Sequence, residues 1–199
     1  MKVVGLTGGV GMGKSACSEL LRQRGAPVVD TDELARLVVR PGQPALTEIT
    51  QVFGAALVDQ HGELRRSEMA RLVFSNPEAR AKLEQILHPR IRLLWREQVE
   101  TWRAAGHPLG IVVIPLLFET NAEQELQGTI CVGCSARIQM SRLKPRGWSV
   151  EQIQQRISAQ LSIEEKIARS TFVIWNEAGL DILGAQTNRI VASLHSPGA

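Results

Sequence analysis

Eight residues near the start of the chain, Gly8-Gly9-Val10-Gly11-Met12-Gly13-Lys14-Ser15, constrain the fold more than any other feature. They satisfy G-x-x-x-x-G-K-[ST], and they stand where that pattern has physical meaning, between an apolar β-rich run (Lys2 to Thr7) and a helical pattern in which Ala16, Cys17, Leu20 and Leu21 share a face. Ordinary usage of Gly, Lys and Ser/Thr gives a chance match on the order of one per cent in a chain of this length. The glycines let backbone amides turn inward around phosphates, and the helix that opens near Lys14 points its positive end at the same anion. Lys14 would reach the β- and γ-phosphates, and the Ser15 hydroxyl would ligate Mg²⁺.

Downstream, further strand-like runs appear at Pro27 to Val29, Gly110 to Ile114, Thr129 to Val132 and Phe172 to Ile174. They are continuously apolar rather than alternating, with helical patterns between them. That predicts an α/β architecture, a P-loop NTPase fold with a five-stranded parallel sheet flanked by helices. Roughly eighty residues between the second and third strands lack a strand-like run and carry helical periodicity, as in Leu83, Ile86, Leu87, Ile91, Leu94 and Trp95. They read as a helical substrate subdomain. A polar, Arg-rich excursion over residues 135–160 reads as a lid.

Composition narrows the class. At 199 residues, 44% apolar and 22% charged, the chain has the make-up of one folded domain with elaborations. Its longest apolar run, Leu109 to Phe118, is broken by Gly110 and Pro115 and falls short of the roughly 20 residues that span a bilayer. No signal-peptide pattern opens the sequence, and three cysteines are too few for a disulfide framework, so a cytoplasmic location is expected. The Cys131-Val132-Gly133-Cys134 spacing lies in a strand run without a second pair and reads as buried thiols. The net charge of +3 rests on 18 Arg and 5 Lys against 20 acids. Between Glu125 and Glu151 there is no acid, while Arg137, Arg142, Lys144 and Arg146 contribute +4, so the excess belongs to the lid segment. Aromatics amount to only 4%, and no basic stretch is interleaved with stacking residues, which argues against nucleic acid as a partner.

The loop names a class and leaves the acceptor open. No N-K-x-D base reader is present, and Asp59-Gln60-His61-Gly62, which imitates the GTPase D-x-x-G, reads as a turn. Small-molecule kinases remain, including the nucleoside monophosphate and shikimate types. Asp30 and Asp32 fall at the carboxyl end of the second strand, the edge where ligands bind in open α/β sheets. Asp32 has three readings there: orienting or deprotonating the acceptor, helping to place Mg²⁺, or capping a helix.

Beyond the loop and Val28-Val29-Asp30-Thr31-Asp32, an ordered set of segments follows: Arg40-Pro41-Gly42-Gln43-Pro44-Ala45-Leu46, Arg71 to Pro77, Ile86-Leu87-His88-Pro89-Arg90-Ile91, Pro115-Leu116-Leu117-Phe118-Glu119, Gln139 to Arg142, and Arg156 to Gln160. Over about residues 3 to 180 the chain resembles the dephospho-CoA kinase family. The resemblance implies transfer of the ATP γ-phosphate to the ribose 3′-hydroxyl of dephospho-CoA with Mg²⁺, the last step of coenzyme A biosynthesis, in a monomer or small homo-oligomer. It implies a single kinase domain, with residues 1–30 and 107–199 as nucleotide-binding core, 31–106 as the CoA subdomain and 135–160 as the lid. Lys14, Asp32 and Arg142 are the implied catalytic residues. ATP contacts fall on Gly9, Val10, Gly11, Met12, Gly13, Lys14, Ser15, Ala16, Arg146 and Asn176. Substrate contacts fall on Asp32, Arg36, His88, Leu117, Glu119 and Arg156. The segment Ser170 to Gly179 departs from the family by lacking both of its usual acids, and Trp175 within it is expected to bury its ring by packing.

Overall fold

A computed structural model of the chain describes residues 1–195. The elements run β1 (Lys2–Gly8), α1 (Lys14–Gln23), β2 (Val28–Asp30), α2 (Thr31–Leu37), α3 (Pro44–Phe53), α4 (Arg66–Ser75), α5 (Pro77–Ala104), β3 (Leu109–Val113), β4 (Gly128–Gly133), α6 (Ala136–Leu143), α7 (Val150–Ser158), α8 (Ile163–Arg169), β5 (Phe172–Trp175) and α9 (Leu180–His195). The chain divides into two compact units, Met1–Asp30 with Val99–Ala199, and Thr31–Gln98.

The first unit is built on a five-stranded sheet in the order β2-β3-β1-β4-β5, with every pair parallel. Each strand matches the run expected for it to within a residue or two. β1 is the middle strand, registered with β3 (Val4 opposite Ile111) on one side and β4 (Leu6 opposite Ile130) on the other. Because side chains alternate along a strand, Val4 and Leu6, Ile111 and Val113, Ile130 and Val132 all fall on one face. That face packs Cys17 and Leu21 of α1 and Leu183, Ile190 and Leu194 of α9. The wholly buried Leu21 contributes on the order of 1.5–3 kcal/mol by leaving water. The opposite face carries Cys131, which is buried with a free thiol, as are Cys17 and Cys134. Burial pushes the Cys17 and Cys131 thiols up to about 11, so neither is a thiolate at neutral pH.

At the sheet's edge, β5 leaves Trp175 with 44% of its surface exposed. The expectation of a buried ring fails here because an edge strand has one side open. The ring lies along Gly133, whose lack of a Cβ makes room for it, and the Trp175 backbone is held by both ends of the Gln186 amide at 3.0 Å.

The second unit is mainly helical, broken by one isolated antiparallel bridge between Val58 and Leu64. Val38, Val39, Ala45, Ile49, Leu57, Met69 and Ile86 form its core, with Leu83, Leu87, Ile91 and Leu94 packed against them. Those last four are among the residues whose 3.6-residue spacing was legible in the sequence. Helix α5 runs through Pro89. A proline inside a helix removes one hydrogen bond and crowds the preceding turn, and Arg90 grips that turn by donating to the Ile86 carbonyl at 2.6 Å and to Glu48 at 2.7 Å. The Asp59–Gly62 segment is a turn, in which Asp59 Oδ1 accepts from the His61 and Glu63 amides at 2.9 Å each. No described helix is long and apolar enough to cross a membrane.

Candidate active site

The strand β1 ends at Gly8 and the helix α1 begins at Lys14, so the glycine-rich loop joins the middle strand to the positive end of a helix. Two of its glycines are obligatory. At Gly8 (φ +145°) a Cβ would lie 2.2 Å from the Val132 carbonyl oxygen of β4, and at Gly13 (φ +105°) it would lie 2.0 Å from Asn176 Nδ2. The Val132 contact is backbone and cannot swing aside. Gly8→Ala is therefore expected to cost about 2–4 kcal/mol and lower the melting temperature by about 5–15 °C, measured by calorimetry.

The direction in which the loop amides face follows from where its carbonyls go. The Val10 carbonyl accepts from Gln139 Nε2 at 2.8 Å, and the Met12 carbonyl accepts from Asn176 Nδ2 at 2.9 Å and Arg142 at 3.3 Å. In a trans peptide the C=O and the following N–H point in opposite directions, and no peptide bond here is cis. Turning those two carbonyls onto the protein therefore aims the Gly11 and Gly13 amides the other way, as a phosphate cradle requires. Lys14 arches back over the loop, its Nζ donating to the carbonyls of Gly8 at 2.7 Å and Gly9 at 3.1 Å. Ser15 is exposed in the first turn of α1, and Ala16 follows it, half-buried.

The structure gives other candidates definite surroundings. Arg142 on α6 also donates to the Asn176 carbonyl at 3.0 Å, so its guanidinium ties loop, α6 and the end of β5 together. Arg146 and Arg156 share the Trp148 ring, at 5.6 and 4.2 Å from its centroid. The Leu117 side chain is fully buried in the core, leaving its backbone for any contact with substrate. In the helical unit, Asp32 and Arg36 are exposed and lie one turn apart on α2. Asp32 stands inside the first turn rather than at the residue before it, which is Asp30. His88 is half-buried in α5, and burial, opposed by Glu84 and seconded by Arg92, holds its imidazole below the ordinary range. It is neutral at pH 7.

Glu119 follows β3 by six residues and meets Lys166, which has no exposed surface at all. Lys166 Nζ lies 2.8 Å from Glu119 Oε1 and donates to the Pro115 carbonyl at 2.7 Å. Glu119 Oε1 also accepts from the Leu161 amide at 2.9 Å, and its Oε2 is buried without a hydrogen-bond partner among the described residues. Burial works to raise the Glu119 carboxyl, but the hydrogen bonds from Lys166 and the backbone outweigh it and hold the group below its ordinary 4.5. A carboxyl lowered by folding contributes stability above its unfolded value, and that contribution is lost as pH falls through the folded one. Glu119→Gln leaves Lys166 charged and half-partnered, at a cost of about 3–5 kcal/mol near neutrality. That gap should shrink as the pH is taken progressively below 4.5, read by denaturant unfolding of both proteins. A gap of constant size would deny the pair its role.

Three residues around the loop escape sequence reasoning as functional groups: Gln139, Gln160 and Lys166. Only Lys166 leaves a local signal, a lone cation with Ile163 and Ile167 on the apolar stripe of α8.

Comparison with known proteins agrees along the whole chain. The dephospho-CoA kinase family model matches residues 2–181. The dephospho-CoA kinase of Anaeromyxobacter dehalogenans is 43% identical over 195 residues, covering 98% of this chain and 92% of its own. That of Bdellovibrio bacteriovorus is 40% identical over 191 residues, covering 96% and 95%. Among solved structures, a Thermus thermophilus protein superposes with a TM-score of 0.85 at 36% identity over 98% of both chains. A shikimate kinase from Acinetobacter baumannii superposes at 0.54 with 12% identity over 99% of this chain and 96% of its own, which speaks to the fold alone. With the nucleotide loop built as above and the match running through both units, the chain belongs to the dephospho-CoA kinase family.

Proposed function

We propose that this chain transfers the γ-phosphoryl group of ATP to the 3′-hydroxyl of dephospho-CoA, giving CoA and ADP, with Lys14, Asp32 and Arg142 as its principal catalytic side chains. The observation that carries the reading is the glycine loop, whose carbonyls are spoken for by Gln139, Asn176 and Arg142 and whose lysine sits over it, in a chain that matches the family from residue 2 to 181. Phosphoryl transfer asks mostly for alignment and charge stabilisation. In this reading the Gly9–Ala16 amides and Lys14 hold the β- and γ-phosphates. Arg142 and Arg146 neutralise charge on the transferring group, and Asn176 braces the nucleotide end of the site. Asp32 orients the acceptor hydroxyl and takes its proton as the bond to phosphorus forms. Arg36, neutral His88, the Leu117 backbone, Glu119 and Arg156 form the dephospho-CoA side.

Mg²⁺ fits the loop: the Ser15 hydroxyl, exposed in the first turn of α1, is a hard oxygen ligand, and Mg²⁺ is usually held by one or two such groups with water and substrate phosphates. The exposed Asp32 carboxylate is a ligand of the same kind. When bound the ion would offset charge on the phosphate oxygens. We assign residues 31–106 to the CoA moiety, 1–30 and 107–199 to the nucleotide, and 135–160 to a lid, in a cytoplasmic monomer or small homo-oligomer.

The test is ADP release with dephospho-CoA against a panel of other hydroxyl acceptors, shikimate and nucleoside monophosphates included. Stimulation by dephospho-CoA at least about 10³-fold above the others in kcat/KM is expected, because buried polar groups built for one acceptor are left unpaired by another. Equal stimulation by another acceptor would overturn the assignment.

A further inference from the structure

The Gly9–Val10 peptide is bonded by side chains on both sides, and one of them, Gln160, has no part in the proposed chemistry. Its N–H donates to Gln160 Oε1 at 3.3 Å, while its carbonyl accepts from Lys14 Nζ at 3.1 Å. The next peptide plane is fixed by Gln139, whose Nε2 donates to the Val10 carbonyl at 2.8 Å. Gln139 lies near the start of the Arg-rich excursion and Gln160 at its end, so both ends of that segment are fastened to one residue of the loop. Gln160 is itself placed by its neighbour. The Leu161 amide donates to Glu119 Oε1, which is held at 2.8 Å by the fully buried Lys166.

We propose that Gln160 is a positioning residue for the nucleotide loop and Lys14, and that the buried Lys166–Glu119 pair acts through it by fixing the Leu161 backbone. The chain of contacts is continuous: Lys166 to Glu119, Glu119 to the Leu161 amide, Gln160 to the Val10 amide, and across a rigid peptide to the carbonyl that holds Lys14. A buried cation is costly unless its partners are well placed, and the partners of the Lys166 ammonium among the described residues, Pro115 and Glu119, lie on the segment that follows β3. The peptide between Gln160 and Lys14 is planar, so a rotation of its N–H end turns its carbonyl end equally. Loss of the Gln160 acceptor therefore frees the very plane on which Lys14 rests. The proposal rests on the ATP-site reading and is independent of which hydroxyl accepts the phosphoryl group.

The test compares full-length Gln160→Leu, Lys166→Met and the double variant Lys166→Met/Glu119→Gln with the parent chain. ATP and dephospho-CoA affinities are measured separately by calorimetry, each without the other. Gln160→Leu should weaken ATP binding about 5- to 20-fold, the range of an ordinary coupling between sites, and leave the dephospho-CoA constant within about twofold. Lys166→Met should weaken ATP binding to a similar extent. The double variant should recover most of the ATP affinity, because an amide at position 119 still accepts from Leu161 without a stranded charge. ATP affinity within about twofold of the parent in Gln160→Leu would overturn the proposal, as would equal weakening of both ligands, which marks general loosening. If Lys166→Met does not fold, Gln160→Leu decides alone. ATP binding that behaves as expected beside an inert dephospho-CoA would count against the acceptor assignment and not against this one.

Discussion

Lys14→Ala should lower kcat/KM for phosphoryl transfer by about 10³-fold or more, while the melting temperature falls by only a few degrees. The two readouts differ because the lysine does two jobs of different size. As a structural group it donates to the Gly8 and Gly9 carbonyls, and each such bond is worth about 0.5–1.5 kcal/mol net. Both glycines are buried, so those bonds are lost without replacement by water, a cost of a few degrees in a chain of this size. As a catalytic group it is the cation of a loop that otherwise offers only amides, and charge developing on the transferred phosphoryl has no other fixed positive partner within the glycine run. Single donors to a transition-state oxyanion contribute about 10²–10³-fold, and a full positive charge on a phosphoryl group about 10³–10⁵-fold. ADP release at saturating dephospho-CoA, together with a thermal melt, checks both halves. Turnover within about tenfold of the parent would remove the loop from the mechanism.

What the residues disclosed in advance, and what they did not, follows from the range of the interactions involved. The strands were legible because a parallel sheet covered on both faces needs continuous apolar runs, as at Ile111 to Val113 and Ile130 to Val132. The loop was legible because glycines with positive φ and a Lys-Ser pair must be contiguous. The surroundings of the loop were not, since they come from far along the chain. Gln139 reaches back 129 positions to Val10, Arg142 reaches 130 to Met12, and Asn176 reaches 164. Nothing local marks a glutamine as the partner of a distant peptide. Arg142 shows the gap most clearly: its segment reads as a polar, Arg-rich lid, and nothing local shows that its guanidinium is half-buried against two backbone carbonyls. Trp175 erred in the other direction, because the order of strands that makes β5 an edge is absent from its local sequence.

Asp32→Asn should lower kcat by about 10²–10⁴-fold, the usual worth of a positioned general base, and change the KM for ATP by no more than about threefold. The substitution is chosen for what it preserves. Asparagine keeps the volume and still accepts a hydrogen bond. Asp32 stands exposed in the first turn of α2, directly after β2. There its charge favours the helix dipole by about 0.3–1 kcal/mol, which bounds the stability lost. A residue that served only the helix would therefore show that small loss and unchanged turnover. A residue that only ligated Mg²⁺ would show a loss of activity that rising Mg²⁺ concentration restores. A residue that takes the acceptor proton shows neither: its variant stays folded, binds ATP, and stays slow at every Mg²⁺ concentration. Turnover as a function of Mg²⁺ in the Asp32→Asn variant, with a melt alongside, separates the three roles that the sequence left equal.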